Sequence, residues 1–123
     1  MFKSASANSY KDTITFSDRL NESTRIREKY QDRVPCIVEL SENLKHVEFD
    51  KKKYLVPNDL TCGQFIFIIR KRMRIQQEEA IFLFVHNTIP PTSSLLSQIY
   101  RENKDDDGFL YFVVQKESTF GER

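Results

Sequence analysis

The side chains of this sequence with reactive or ligating chemistry are few. They are two cysteines, two histidines, three consecutive aspartates, a run of lysines at 51–53 and a glycine at 121. Cys36 and Cys62 lie among apolar or small neighbours, with no partner at metal-ligand spacing. They suit a reducing compartment as free thiols, and one disulfide is the open alternative. His46 and His86 stand alone, so a zinc site is not expected. A cysteine–histidine nucleophile pair would also need an oxyanion motif, which the sequence lacks. Asp105-Asp106-Asp107-Gly108 has neither the alternating acids nor the closing glutamate of a calcium loop and reads as a turn. No metal, cofactor or catalytic residue is therefore expected. What remains is chemistry done to the chain, at Phe120-Gly121, or against it, where the lysine run enters the apolar stretch Tyr54-Leu55-Val56-Pro57.

The chain has 123 residues, 39% of them hydrophobic and 30% charged. That is one soluble domain, large enough to bury a core without metal or disulfide. A net charge of +1 offers no bulk attraction to nucleic acid or to an anionic membrane. Arg70, Lys71, Arg72 and Arg74 read as the basic end of a helix, complementing its dipole, and no nucleic-acid partner is expected. The amino terminus has no signal-peptide core, and the longest apolar runs, 65–69 and 80–85, are far short of a membrane span. The sequon Asn21-Glu22-Ser23 is then idle, and a membrane role requires something added to the chain.

Residues 1–9 are small and polar and read as a mobile amino terminus. Between Tyr10 and Tyr30 a loosely helical spacing of apolar residues predicts two short helices, with Thr13 or Ser17 as a cap. Residues 35–40 form a β-branched strand. A polar connection over 42–50 leads to a second strand at 53–57, which Pro57 and the lysines mark as an edge. Thr61-Cys62-Gly63-Gln64 is a capping box opening a helix over about 61–73. A strand follows at 81–85. Ser93 or Ser94 then caps a short helix with Leu95, Leu96, Ile99 and Tyr100 on its apolar side, and a last strand covers 109–115. The order is ααββαβαβ. The expected fold is α+β, a ubiquitin-like β-grasp over 33–116 with two additional amino-terminal helices over 10–32 and a flexible tail over 117–123.

Several separated segments, in order, resemble the autophagy-related protein eight family. They are Tyr54-Leu55-Val56-Pro57, Gly63-Gln64-Phe65, Ile69-Arg70-Lys71-Arg72, Asn87-Thr88-Ile89-Pro90-Pro91-Thr92, Asp107-Gly108-Phe109-Leu110-Tyr111 and the ending Thr119-Phe120-Gly121. The resemblance implies a precursor. A processing cysteine protease, recognising Phe120, would cut after Gly121. Ubiquitin-activating-like and conjugating-like enzymes would carry the glycine carboxylate as thioesters. Its final acceptor would be phosphatidylethanolamine, placing a cytoplasmic, monomeric protein on the surface of autophagosomal membranes. Glycine suits the step because it lacks a Cβ and leaves the acyl carbon open. Two acyl chains hold a protein stably where one does not. The chain would be substrate and not enzyme.

The edge strand can accept an extended peptide by β-augmentation. Alternation sends Lys53 and Leu55 to one face and Tyr54 and Val56 to the other. The resemblance implies peptides of aromatic-x-x-aliphatic type with nearby acids. Its aromatic pocket would comprise Glu22, Ile26, Pro35, Ile37, Lys53, Leu55 and Phe109. Its aliphatic pocket would comprise Tyr54, Val56, Pro57, Leu60, Phe65, Ile68 and Arg72, with Arg33, Lys51 and Lys52 meeting the acidic flank. Leu55, Phe65, Ile68 and Phe109 also read simply as core. Leu40, Val47 and residues 112–116 depart from the family pattern, and the last of these bears on processing efficiency. The competing reading is a ubiquitin-like peptide-binding module in trafficking that is never conjugated.

Overall fold

The computed structural model describes residues 9–116, so Phe120, Gly121 and most of both terminal segments lie outside it. The elements are α1 (Tyr10–Thr13), α2 (Phe16–Lys29), β1 (Arg33–Leu40), β2 (Lys53–Pro57), α3 (Cys62–Arg70), β3 (Ile81–Phe84), α4 (Leu96–Asn103) and β4 (Leu110–Lys116), with a 3₁₀ turn at Glu42–Leu44. The expected order holds, and the α+β class with it.

One four-stranded sheet runs β2-β1-β4-β3. β1 pairs antiparallel with β2 and parallel with β4, and β3 closes antiparallel on β4. Residues 34–38 of β1 are buried without a break because helices cover both faces. Val34, Cys36 and Val38 join Phe65, Ile69 and Phe112 in the main core. Ile37 faces the other way, joining Tyr10 and Phe109 under the amino-terminal helices.

Local chemistry explains most of the element boundaries, and it moves several of the expected ones. The caps of α1 and α2 are Ser9 and Thr15, not Thr13 or Ser17. Each has extended backbone, and its hydroxyl accepts from the amide three residues on. Thr13 sits in the last turn of α1, where its hydroxyl bonds back to the Ser9 and Tyr10 carbonyls. β1 starts two residues earlier than expected, and β4 is shifted by one.

In α3 the capping box is complete: Gln64 N donates to Thr61 Oγ1 at 3.1 Å and Thr61 N donates to Gln64 Oε1 at 2.9 Å. The helix ends at Arg70, short of 73, because Met73 bridges to Phe49 and Arg74 N donates to the Glu48 carbonyl. α4 has no serine cap. Leu95 occupies that position, 40% exposed and not on the apolar side. The amides of Leu96 and Ser97 instead donate to the carbonyls of Leu60 and Asn58, at 2.8 and 3.0 Å. A tertiary contact has replaced a local one.

The turn at 105–108 is anchored more firmly than a surface loop. Asp107 is fully buried, and its Oδ2 accepts from Arg19 Nε at 2.7 Å and from Tyr111 Oη at 2.5 Å. Its Oδ1 accepts from Phe109 N at 2.9 Å. Arg19 in turn bridges to the Ile14 carbonyl at 2.6 Å, so one buried guanidinium ties α2 to the rest of the fold.

Candidate functional site

β2 is an outer strand, and its register shows which main-chain groups are free. Val38 N donates to Lys52 O at 2.8 Å, which makes Val38 and Lys52 a hydrogen-bonded pair. In an antiparallel ladder such pairs alternate, so Cys36/Tyr54 and Val34/Val56 share their bonds inside the sheet. The N–H and C=O groups of Lys53 and Leu55 therefore point outward. That row is the template an added strand needs. Arg33 already uses part of it, donating from Nη1 to Leu55 O at 3.3 Å.

On the face of α2, the residues expected for an aromatic pocket come together in two layers. Ile37 and Phe109 form a fully buried floor with Ile26 packed against them, and Pro35 is buried beside Ile37 in β1. Tyr10 meets Phe109 edge-on at 5.6 Å. Above this floor Lys53 pairs with Glu22, which also accepts from Tyr10 Oη at 2.9 Å. Burial opposes charge on Glu22, but the Lys53 and Tyr10 bonds outweigh it and hold the carboxyl below its ordinary value. Burial also opposes charge on Lys53, and the Glu22 carboxylate raises it all the same. Leu55 is half-buried on this face.

On the other face, Tyr54 packs edge-on against Phe65 at 5.4 Å and stacks with Phe49 at 6.5 Å. Phe65 is fully buried and contacts Phe112, so it is a floor and not a wall. Val56 is buried, Leu60 and Ile68 are half-buried against the core, and Pro57 is exposed. Arg72 stands at the rim, 3.1 Å from Asp50. The Tyr54 hydroxyl is buried without a hydrogen-bond partner among the described residues, and burial pushes it up to about 12.

Of the cations expected for an acidic flank, Lys51 and Lys52 lie just before β2 and Arg33 opens β1. Lys51 Nζ lies 5.0 Å over the Tyr54 ring and pairs with no carboxylate among the described residues. Lys52 is 3.9 Å from Glu39. Tyr10 and Phe49 were not expected here. Tyr10 offered only a helical spacing, and Phe49 sat in a connection read as polar.

The remaining reactive groups are used structurally. Burial pushes both the Cys36 and Cys62 thiols up, away from the nucleophilic thiolate. His86 and Asn87, with φ of 50° and 67°, form the tight turn after β3, where Val85 and Thr88 exchange backbone hydrogen bonds. No group of residues suited to a metal occurs among the described residues. No helix there is long and apolar enough to cross a membrane.

The chain is similar to known proteins over most of its length. The family model described as "Autophagy protein Atg8 ubiquitin like" matches residues 18–121. The chain is 60% identical over 103 residues to Autophagy-related protein 8A of Oryza sativa subsp. indica, covering 84% of this chain and 87% of the relative. It is 54% identical over 113 residues to Autophagy-related protein 8a of Arabidopsis thaliana, covering 92% and 93%. In three dimensions it resembles the crystal structure of Trypanosoma brucei ATG8, with a TM-score of 0.82, 40% identity, and coverage of 89% of this chain and 95% of that one.

Proposed function

The chain belongs to the Atg8 family of ubiquitin-like autophagy proteins, and from that membership we propose that it is a conjugated modifier displaying a peptide-binding edge. In this reading a cysteine protease removes Glu122 and Arg123. The Gly121 carboxylate is activated and held as a thioester on partner enzymes. The amine of phosphatidylethanolamine then displaces the thiolate to form an amide. The protein so formed moves from cytoplasm to autophagosomal membrane and recruits receptors and adaptors that carry aromatic-x-x-aliphatic peptides.

The observation that carries the recruiting half is the outward row of Lys53 and Leu55 main-chain groups, set between two apolar floors of opposite faces. An extended peptide adding to that edge sends alternate side chains to each floor, which is the spacing of the motif. Lys51 and Arg33 support acidic residues beside it. A short peptide buries little area, so single contacts are weak and display of many copies on one membrane strengthens them. The conjugating half is supported by family membership and by Phe120-Gly121 at the end of the matched region.

The test is the intact mass of the protein recovered from soluble and membrane fractions of starved eukaryotic cells. Loss of Glu122 and Arg123 in the soluble pool, with a phospholipid-sized addition in the membrane pool, is the expected result. Gly121→Ala should abolish both changes. An unprocessed, unmodified wild-type chain in both pools would support the non-conjugated binding module instead.

A further inference from the structure

Beside the carboxyl-terminal ends of α2 and α4 lies a recess of about 390 Å³ that shares no lining residue with the expected peptide pockets on β2. Arg27, Arg101 and Lys104 line it, and no acidic side chain does. Its base is apolar, from Val34 and the ring of Tyr100, whose hydroxyl is fixed by donating to Gly108 O at 2.7 Å. Arg27 Cζ lies 4.9 Å from the centre of that ring, and Arg27 Nη1 donates to Arg33 O at 2.6 Å. Lys104 Nζ lies 5.9 Å from the same ring. None of the three cations belongs to an ion pair among the described residues.

Helix ends account for only part of this charge. Arg27 and Arg101 occupy the last turns of α2 and α4, and Lys104 is the C-cap of α4. A helix carboxyl terminus carries about half a negative charge, so the two ends together offset roughly one of the three cations. A positive surplus is left in a concave, partly apolar recess, which is the setting that selects an anionic group on a short stem.

We propose that this recess binds an acidic side chain, glutamate or phosphoserine, carried by an extended segment of a partner protein. The choice of a protein over a lipid surface rests on the lipid-attachment reading given above; the anion site itself does not. Val34 lies near the start of β1, whereas β4 runs parallel to β1 and reaches Val114 opposite Leu40 at its far end. The chain leaves β4 at Lys116 towards Gly121. The recess is thus at the end of the sheet remote from the strand terminus that leads to the attachment point, facing other proteins more readily than the anchoring membrane.

The experiment is a titration of the full-length, isotopically labelled protein followed by amide NMR. The probes are an acetylated, amidated Ala-Ala-phosphoSer-Ala-Ala peptide, its glutamate counterpart and its unmodified serine counterpart. Shifts at Ser97, Tyr100 and Arg101 are expected with the two acidic peptides, weakening with added salt, and none with the serine peptide. The double variant Arg101→Glu, Lys104→Glu changes only exposed side chains and should lose roughly tenfold in affinity. An aromatic-x-x-aliphatic peptide titrated into both proteins reports separately on the fold and on the β2 groove. Three results would overturn the proposal: no shifts at the recess, undiminished affinity in the double variant, or equal shifts from inorganic phosphate at the same concentration. Phosphatidylserine vesicles perturbing these amides where the peptides do not would overturn the assignment to a protein partner.

Discussion

Arg19 and Asp107, 88 residues apart in the chain, meet in a buried ion pair with Nε 2.7 Å from Oδ2. The carboxylate raises the guanidinium above its already high ordinary value, against the effect of burial. Asp107 also receives Phe109 N and Tyr111 Oη, so its charge is met on every side. Removing one partner leaves the other buried and uncompensated, which typically costs about 3–5 kcal/mol. Arg19→Ala should therefore unfold at markedly lower urea concentration. It should also loosen α2 and the Tyr10–Phe109 contact, read as lost amide protection in that helix. A midpoint within experimental error of wild type would show that the pair is not a strut.

The β2 groove makes a different prediction, because its side chains divide into floor and rim. Tyr54→Ala with Leu60→Ala should weaken an aromatic-x-x-aliphatic peptide and also lower stability by a few kcal/mol, about what a large-to-small core change costs, because Tyr54 is buried against Phe65. Tyr54→Phe removes a hydroxyl that has no partner among the described residues and should raise stability by roughly 1 kcal/mol, since an unsatisfied buried polar group is unfavourable. Calorimetry of both variants separates these effects. Unchanged peptide affinity in the double variant would remove Tyr54 and Leu60 from the site.

Much of this was legible in the residues, and the failures share one cause. Pro57 and the lysines identified the edge strand because proline and lysine act locally on pairing. Thr61 and Gln64 identified the start of α3 for the same reason. The start of α4 was misplaced because its first amides are satisfied by Leu60 and Asn58, far back in the chain. The end of α3 was misplaced because Met73 is claimed by Phe49. Phe65 and Phe109 looked equally like core or pocket, and the structure buries both completely, beneath opposite faces of the sheet. No local signal connects Arg19 to Asp107, and their pairing was not foreseen.

Gly108 should be intolerant of any side chain. Its φ of +90° is strained for other residues, and a Cβ there would lie 2.1 Å from Ser23 Oγ. Ser23 Oγ itself donates to Asp107 O at 2.5 Å. Gly108→Ala should destabilise by more than about 1 kcal/mol, the usual scale when the native conformation is incompatible. Adding Ser23→Ala removes the Oγ contact but leaves its own Cβ 2.9 Å away and the backbone strain unchanged, so at most partial rescue in thermal melts is the expected outcome.

The Glu22–Lys53 pair predicts a stability plateau with two flanks. Glu22 titrates lower in the folded protein than its ordinary 4.5, so its contribution is complete above that value and fades as pH falls through the lowered one. Lys53 titrates above its ordinary 10.5, so its contribution is complete below that value and fades as pH rises through the raised one. Tyr10, raised by burial and by its bond to Glu22, adds to the alkaline flank. Glu22→Gln should flatten the acid flank relative to wild type in a pH series of thermal melts. An identical acid flank would mean that the pair makes no net contribution.

The parallel pairing of β1 with β4 places Leu110–Lys116 between β1 and β3, at the centre of the sheet. That strand is the last regular element in the described chain. On the ribosome the sheet then has no centre until nearly all of the domain has been synthesised, and the contacts that close it span most of its length. Gly121 follows only five residues after Lys116, so it emerges together with the completion of the fold. A nascent chain long enough to include Gly121 already holds every strand of the described sheet.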